Sequence, residues 1–429
     1  MSADLIDAAG LPSRAAALEV LLAALDHRGG LDEALVRAPF SRLEPRERGF
    51  ARALVMLTLR RLGQIDQALE TKLKKPPPDA VLGLLRLGAA QLFFMDVPDF
   101  AVVNTSVELI GARKDGRQFK GLVNAVLRGL ARDGAPALEV ARLAPDWLMA
   151  RWRAAYGPEG ALRIAAAIAD EPLSDLTFRQ TADAEGLVQA LSGQILPGGS
   201  LRAGLKGDLA EWPGFAEGLW WVQDASAAIP ARLLHVQPGQ TALDMCAAPG
   251  GKTLQLASAG ALVTALDRSP QRQARIVQNL QRIGLSAELF TADGAVWTDD
   301  REFDAVLLDA PCTATGAFRR QPDVLWASKP SEIPKLAQVQ ARLLDSAARR
   351  VKPGGRLVYS VCSLEPEEGE GQVQPFLKRH PQMRLEPILP GDGGAPEAAV
   401  TAAGLLRILP FHVEGGADGF FAARFVRGA

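Results

Sequence analysis

Cys312 and Cys362 are the residues best placed for nucleophilic chemistry. Each stands just after an apolar run, Phe303–Leu308 in one case and Gly355–Ser360 in the other. Both runs read as buried β-strands. A single cysteine in such a place is more often an inert apolar residue. Here strand ends are expected to meet helix N-termini, and Lys252 falls at the same edge. That electropositive setting is expected to lower a thiol's pKa and raise its thiolate fraction. Aspartates close four such runs: Asp244, Asp267, Asp293 and Asp309. After Asp244 the chain turns through Cys246-Ala247-Ala248-Pro249-Gly250-Gly251-Lys252 into an amphipathic stretch. A strand, a glycine turn and a helix open a nucleotide-binding unit, because glycine admits a close ligand and the helix N-terminus offers unpaired N–H groups. The turn is not a Walker A loop, which needs glycine where Cys246 stands, so Lys252 and Thr253 are not phosphate and magnesium ligands. Asp267, at the end of the second strand, stands about where a carboxylate meets a ribose diol.

A thiolate, a carboxylate and a dinucleotide-like pocket narrow the reaction. Carbon-5 of a pyrimidine is a poor nucleophile. A thiolate adding to C6 turns it into an enamine that attacks a methyl sulfonium. Asp309, as the acid, can hydrogen-bond or protonate N3 and so ease the addition. Loss of the C5 proton and of the thiol restores the ring. The residues alone do not rank the two cysteines. A Cys–His protease does not fit, because His27, His235, His380 and His412 lie away from the strand ends and the glycine turn would have no role.

The elements that must position these groups alternate from residue 240 onward. Strands are predicted near 241, 262, 288, 304 and 356, with helices at about 251–258, 270–283, 331–351 and 365–379. Three short runs at the end, MRLEPIL, LLRILP and GFFAARFV, predict an antiparallel addition to a parallel sheet. The stretch Val222–Ser226 opens a helix ahead of the first strand. Residues 5–140 read as helices throughout, at Leu11–Leu25, Gly49–Leu62, Ala80–Phe94, Phe100–Ala112 and Phe119–Ala131, with Pro- and Gly-containing breaks between them. Between these parts, Asp146–Tyr156 and Gly160–Ala169 look helical, and short strands with glycine turns follow. Five of the seven tryptophans fall between 147 and 221, where packing explains them better than base stacking. The expected division is 1–140, all helical; 141–221, small and mixed; and 222–429, the catalytic α/β domain.

Composition excludes several classes. Hydrophobic residues make up 48% of the 429, as in a globular protein, and no apolar run approaches the ~18 residues of a membrane span. The start, MSADLIDAAG, lacks the basic region of a signal peptide. Three cysteines without C-x-x-C spacing suit a reducing cytoplasm and argue against zinc. With a net charge of −1, a nucleic-acid partner needs a local basic patch. Arg42, Arg46, Arg48 and Arg52 form one candidate, and Arg113, Lys114, Arg117, Lys120 and Arg128 another. Both are also compatible with solvated helix faces.

DMCAAPGGKT, DAPCTATGAFRRQPDVLW and YSVCS resemble the motifs of RNA cytosine-C5 methyltransferases that use S-adenosylmethionine. The whole chain resembles the bacterial Sun/Fmu (RsmB) branch, which methylates small-subunit (16S) ribosomal RNA; VQDAS and DGFFAARF match it too. Residues 5–135, with FKGLVNAVLRGL, resemble the NusB-type helical RNA-binding domain of that branch. The resemblance implies a Rossmann-like methyltransferase domain, mostly parallel with an antiparallel edge strand, after an all-α NusB-like bundle and a small α+β subdomain. It implies that Cys246, Ala247, Ala248, Pro249, Gly250, Gly251 and Lys252 surround the methionine and ribose of the cofactor. Asp267 is implied at the ribose hydroxyls, Asp293 beside the adenine and Asp309 at the cytosine. Cys362 is implied as nucleophile and Cys312 as the aid to product release. The family's Arg-Val-Asn is replaced here by Phe178-Arg179-Gln180, which removes the asparagine from that place. DNA cytosine methyltransferases use the cysteine of a Pro-Cys motif, which invites the same role for Cys312. Their Glu-Asn-Val motif is absent, and their scheme gives Cys362 no role. A monomeric cytoplasmic enzyme without metal is expected, with ribosomal RNA as partner. The other readings are a transfer RNA target and a non-catalytic RNA-binding or ribosome assembly factor.

Overall fold

In the computed structural model, residues 10–26, 30–179 and 182–428 are described. Gln180 and His27 lie outside them. The chain divides into two compact units: residues 1–171 with 320–328, and residues 172–319 with 329–429.

The first unit is helical. Its helices run Leu11–Leu25, Gly30–Val36, Pro45–Arg60, Leu62–Glu70, Asp79–Phe94, Asp99–Ala112 and Lys120–Asp133. Asp79 and Asp99 each open a helix directly after a proline, where an acid complements the positive end of the helix. Leu21, Leu54, Leu85, Val103 and Leu127 meet in one apolar core. Helix Asp146–Ala166 is broken at Gly157, whose φ of 76° ends one helical stretch before Pro158 begins the next, as the sequence suggested. This helix belongs to the first unit, so the stretch 141–221 is divided between the two. Residues 320–328 also lie in the first unit, an arrangement local sequence patterns do not indicate. Trp326 Nε1 donates to the Leu59 carbonyl at 3.0 Å, and the Leu31 N–H donates to Asp323 Oδ2 at 3.0 Å.

Among the described residues the second unit contains two sheets. The small antiparallel one joins Asp175–Phe178, Gln194–Ile195, Leu201–Arg202 and Trp220–Val222. Trp212 and Trp220 fill its core with Leu176, Leu187 and Leu201, so these indoles are packing residues. The large sheet holds, among the described residues, β1 (Thr241–Met245), β2 (Leu262–Asp267), β3 (Glu288–Thr291), β4 (Phe303–Asp309), β5 (Val351–Val361), β6 (Met383–Leu385), β7 (Leu406–Ile408) and β8 (Phe420–Arg427). Its order is β6-β8-β5-β4-β1-β2-β3, with β7 paired to β8. The strands β1 to β5 are parallel; β8 runs antiparallel to β5, β6 and β7. All three terminal runs are therefore in the sheet. The central strands are nearly continuous apolar runs because helices cover both faces.

Helix Gly251–Ser258 follows β1. Helix Pro270–Ile283 follows β2, capped by the Ser269 hydroxyl and ended at Gly284, whose φ is 70°. Helix Ile333–Ala348 precedes β5. The last helix, Glu370–Arg379, begins five residues later than expected. Its apolar periodicity starts only at Val373, and residues 365–369 form a turn instead.

Candidate active site

The parallel register sets Asp309 of β4 opposite Ser360 of β5. Both chains then leave the sheet at the same edge. Cys312 follows three residues after Asp309, and Cys362 directly after Val361. Their sulfurs lie 3.6 Å apart, and neither residue is fully buried. The Cys362 carbonyl accepts the Gly316 N–H at 3.0 Å, and the Gly316 carbonyl accepts the Gly419 N–H at 2.9 Å. A Cβ at Gly316 would lie 2.1 Å from the Gly419 oxygen, so glycine is required there. This close approach links the DAPCTATG and DGFF stretches.

Lys252, the second residue of its helix, donates to Asp309 Oδ2 at 2.7 Å, and Ser360 Oγ donates to Oδ1 at 2.9 Å. The ammonium also lies 5.2 Å from the centre of the Phe420 ring. The positive charge is thus matched by Asp309 rather than directed at a thiol. The expectation of a lowered thiol pKa fails for Cys312. Its thiol is pushed well above the ordinary value by its hydrogen bond to Cys362, by burial, and by the charges of Cys362 and Glu368. The third cysteine, Cys246, is pushed up to about 12 by burial and by Asp267, Asp309 and Asp244. Its part in the turn is conformational, at φ 62°.

Asp244 lies one residue inside β1 rather than at its end, because the strand continues through Met245. It has no exposure, and burial pushes its carboxyl up to about 7 despite the hydrogen bond from Thr253 Oγ1 to Oδ2. Among the described residues its Oδ1 has no partner. Asp267 ends β2 with its side chain buried; Oδ2 accepts the Ala248 N–H at 3.0 Å and Oδ1 the Ser269 N–H at 2.9 Å. The carboxylate thereby fixes the turn from Cys246 to Gly251. Gly250 closes that turn at φ 106°, with Ile276 packed against it. Past β3, the Ala292 N–H donates to the Asp267 carbonyl at 3.2 Å, which sets the exposed Asp293 beside the end of β2. Every site residue read from the sequence therefore lies along one edge of the sheet, between β3 and β5.

These residues fit S-adenosylmethionine. Among the described residues no side chain caps the helix from Gly251, so its first N–H groups are available to a carboxylate. The partnerless Asp244 oxygen suits an ammonium group, and Asp267 retains lone pairs for hydroxyls. No group of acids, histidines or cysteines suited to holding a metal occurs among the described residues, nor any helix long and apolar enough to cross a membrane.

The sequence reading missed Ser360, Thr313, Gln340, Ser363 and Glu368, all fully or nearly buried near the thiols. The signal available was the acidic run EPEEGE with Gly369 inside it, an unlikely composition for the helix expected there.

Comparison with known proteins gives a consistent result. The family described as 16S rRNA methyltransferase RsmB/F matches residues 231–426, and the NusB family matches residues 11–132. A Xanthomonas campestris protein named ribosomal RNA small subunit methyltransferase B is 36% identical, over 98% of both chains. A Sodalis glossinidius protein of the same name is also 36% identical, over 90% of this chain and 91% of that one. A solved methyltransferase homolog from Pyrococcus horikoshii is 28% identical, with a TM-score of 0.57 over 66% of this chain and 95% of that one. S-adenosylmethionine is the cofactor of this enzyme class, and the chain is an RNA methyltransferase. At this identity and coverage the chain belongs to the RsmB/F family of 16S rRNA methyltransferases, and it carries a NusB-family domain in its helical amino-terminal part.

Proposed function

We propose that this protein methylates C5 of a cytosine in small-subunit ribosomal RNA through a covalent bond between Cys362 and C6. The observation that carries this reading is the pair of sulfurs 3.6 Å apart beside the Lys252–Asp309 pair. Bound S-adenosylmethionine supplies an electrophilic methyl group. The residues do the rest. The Cys362 thiolate forms a bond to C6, and the ring electrons move toward C5. Lys252 is placed to pass a proton to Asp309, which relays it to N3. C5 would then take the methyl group as its bond to the sulfonium sulfur breaks, the thioether S-adenosylhomocysteine leaving. Solvent water takes the C5 proton, its bonding pair re-forms the C5–C6 double bond as the Cys362–C6 bond breaks, and N3 returns its proton to Asp309. Cys312, held as a thiol, is placed to donate a hydrogen bond to the departing sulfur and lower the cost of its leaving as thiolate. The helical unit, with its exposed Lys114, Arg117 and Lys120, provides RNA affinity. The proposed division of labour is RNA binding by residues 1–140, substrate recognition by 141–221 and catalysis by 222–429.

The target base must leave its stack to reach a site at a sheet edge. Bisulfite sequencing of ribosomal RNA from cells with and without the gene tests the assignment. Loss of one protected cytosine in small-subunit RNA is expected. Unchanged small-subunit RNA with a cytosine lost from transfer RNA would replace the substrate.

A further inference from the structure

We propose that Glu368 is a positioning residue of the two-thiol site, a buried carboxylate that ties the segment carrying Cys312 to the segment carrying Cys362 and sets the separation of their sulfurs. The inference rests on the two-thiol reading above and adds the residue that holds the pair together. Glu368 has no exposure. Its Oε1 accepts the Thr313 N–H and Gln340 Nε2, each at 3.0 Å. Its Oε2 accepts the hydroxyls of Thr313 and Ser363, the latter at 2.6 Å. Thr313 directly follows Cys312, and Ser363 directly follows Cys362. Gln340 Nε2 also donates to the Pro311 carbonyl at 3.0 Å, so the residues on both sides of Cys312 are tied to the same carboxylate.

These donors are neutral. Burying a carboxylate among neutral groups is costly even with its hydrogen bonds made, and apolar side chains would join the segments at lower cost. What apolar packing does not supply is direction. Donors from three separate segments converge on two oxygens, and each bond restricts an angle as well as a distance. The backbone on both sides of Cys312 and after Cys362 is therefore fixed, and the Sγ–Sγ distance follows from it. The Glu368 charge contributes to the upward displacement of the Cys312 thiol, after its hydrogen bond to Cys362 and burial.

The test compares Glu368→Gln with Thr313→Val and Thr313→Ser in the full chain. Phenylarsine oxide reads the sulfur separation independently of turnover: arsenic bonds to both sulfurs, and its oxygen leaves with the two thiol protons as water. The unsubstituted chain should capture one equivalent, and Cys312→Ala should capture none at that site. Glu368→Gln and Thr313→Val should capture it at least about tenfold more slowly. Their kcat should fall about ten- to a hundredfold, with KM for RNA within about twofold. Thr313→Ser, which keeps the hydroxyl, should restore both. S-adenosylhomocysteine binding checks that each variant is folded; if Glu368→Gln does not fold, the Thr313 pair decides. A folded Glu368→Gln with ordinary capture and kcat, or Thr313→Val equal to Thr313→Ser, overturns the inference. If Cys312→Ala accumulates no RNA adduct, the two-thiol reading fails instead, and this inference falls with it.

Discussion

Asp267 fixes the glycine turn and, in the proposed complex, meets the cofactor, so its replacement tests how the edge of the sheet binds a ligand. Its two oxygens take the N–H groups of Ala248 and Ser269 at 3.0 and 2.9 Å, and the side chain is buried. Asp267→Asn preserves shape but sets an NH2 against one of those N–H donors. One hydrogen bond to a charged acceptor is lost, ~1.5–3 kcal/mol. In the proposed complex the remaining lone pairs accept the ribose hydroxyls, and an amide accepts with only one atom. Cofactor affinity should therefore fall about ten- to a hundredfold. Titration calorimetry with S-adenosylhomocysteine measures this, and thermal unfolding in its absence separates turn damage from lost binding. An affinity within about twofold of the unsubstituted chain would remove Asp267 from the cofactor site.

Three further outcomes are expected. Burial raises the Asp244 carboxyl to about 7, so the native chain binds that proton more tightly than the unfolded one. Its contribution is present below about pH 4 and is lost as pH rises through 7, about 4 kcal/mol over the whole span; Asp244→Asn should flatten that part of the cofactor-free stability curve, measured by urea unfolding, and an unchanged slope refutes it. Arg202 Nε and Asp175 Oδ1 form a buried pair at 2.7 Å, and Arg202 also holds the carbonyls of Glu414 and Gly416. Arg202→Met should lower stability by about 3–5 kcal/mol, with part recovered by adding Asp175→Leu; a loss below about 1 kcal/mol would show that the pair is not needed. Lys114→Ser with Lys120→Ser should weaken RNA binding and reduce its salt slope by about 1.4, the single-strand value for two phosphates; equal slopes would leave these lysines as a solvated face.

The strands and the site edge were legible because their signals are local. Apolar runs ending in Asp267 and Asp309, with a glycine turn after β1, need only neighbouring residues to be read. The bounds of helix Pro270–Ile283 are local too: a serine cap and a left-handed glycine stand at its two ends. Methyl transfer to RNA was legible as a class, and the family resemblance implied an order for the two cysteines where spacing could not. What escaped depends on distant partners. Glu368 bonds to Thr313 across 55 residues, and Asp323 to Leu31 across 292. A helix was expected over residues 365–369 because the donors that hold the turn through Glu368 lie elsewhere in the chain. The Cys312 environment was misjudged because the sequence shows Lys252 near the edge but not the hydrogen bond to Cys362 and the burial that raise this thiol.

The central claim is the division of work between the two sulfurs. Protein incubated with S-adenosylmethionine and the RNA substrate, then run on a denaturing gel, tests it directly. Cys312→Ala retains the attacking thiolate but lacks the neighbouring thiol, so protein–RNA adduct should accumulate as a slower band. Cys362→Ala should give neither adduct nor methyl transfer, and the double variant should lose the band. An adduct with Cys362→Ala and none with Cys312→Ala would reverse the roles and contradict the account.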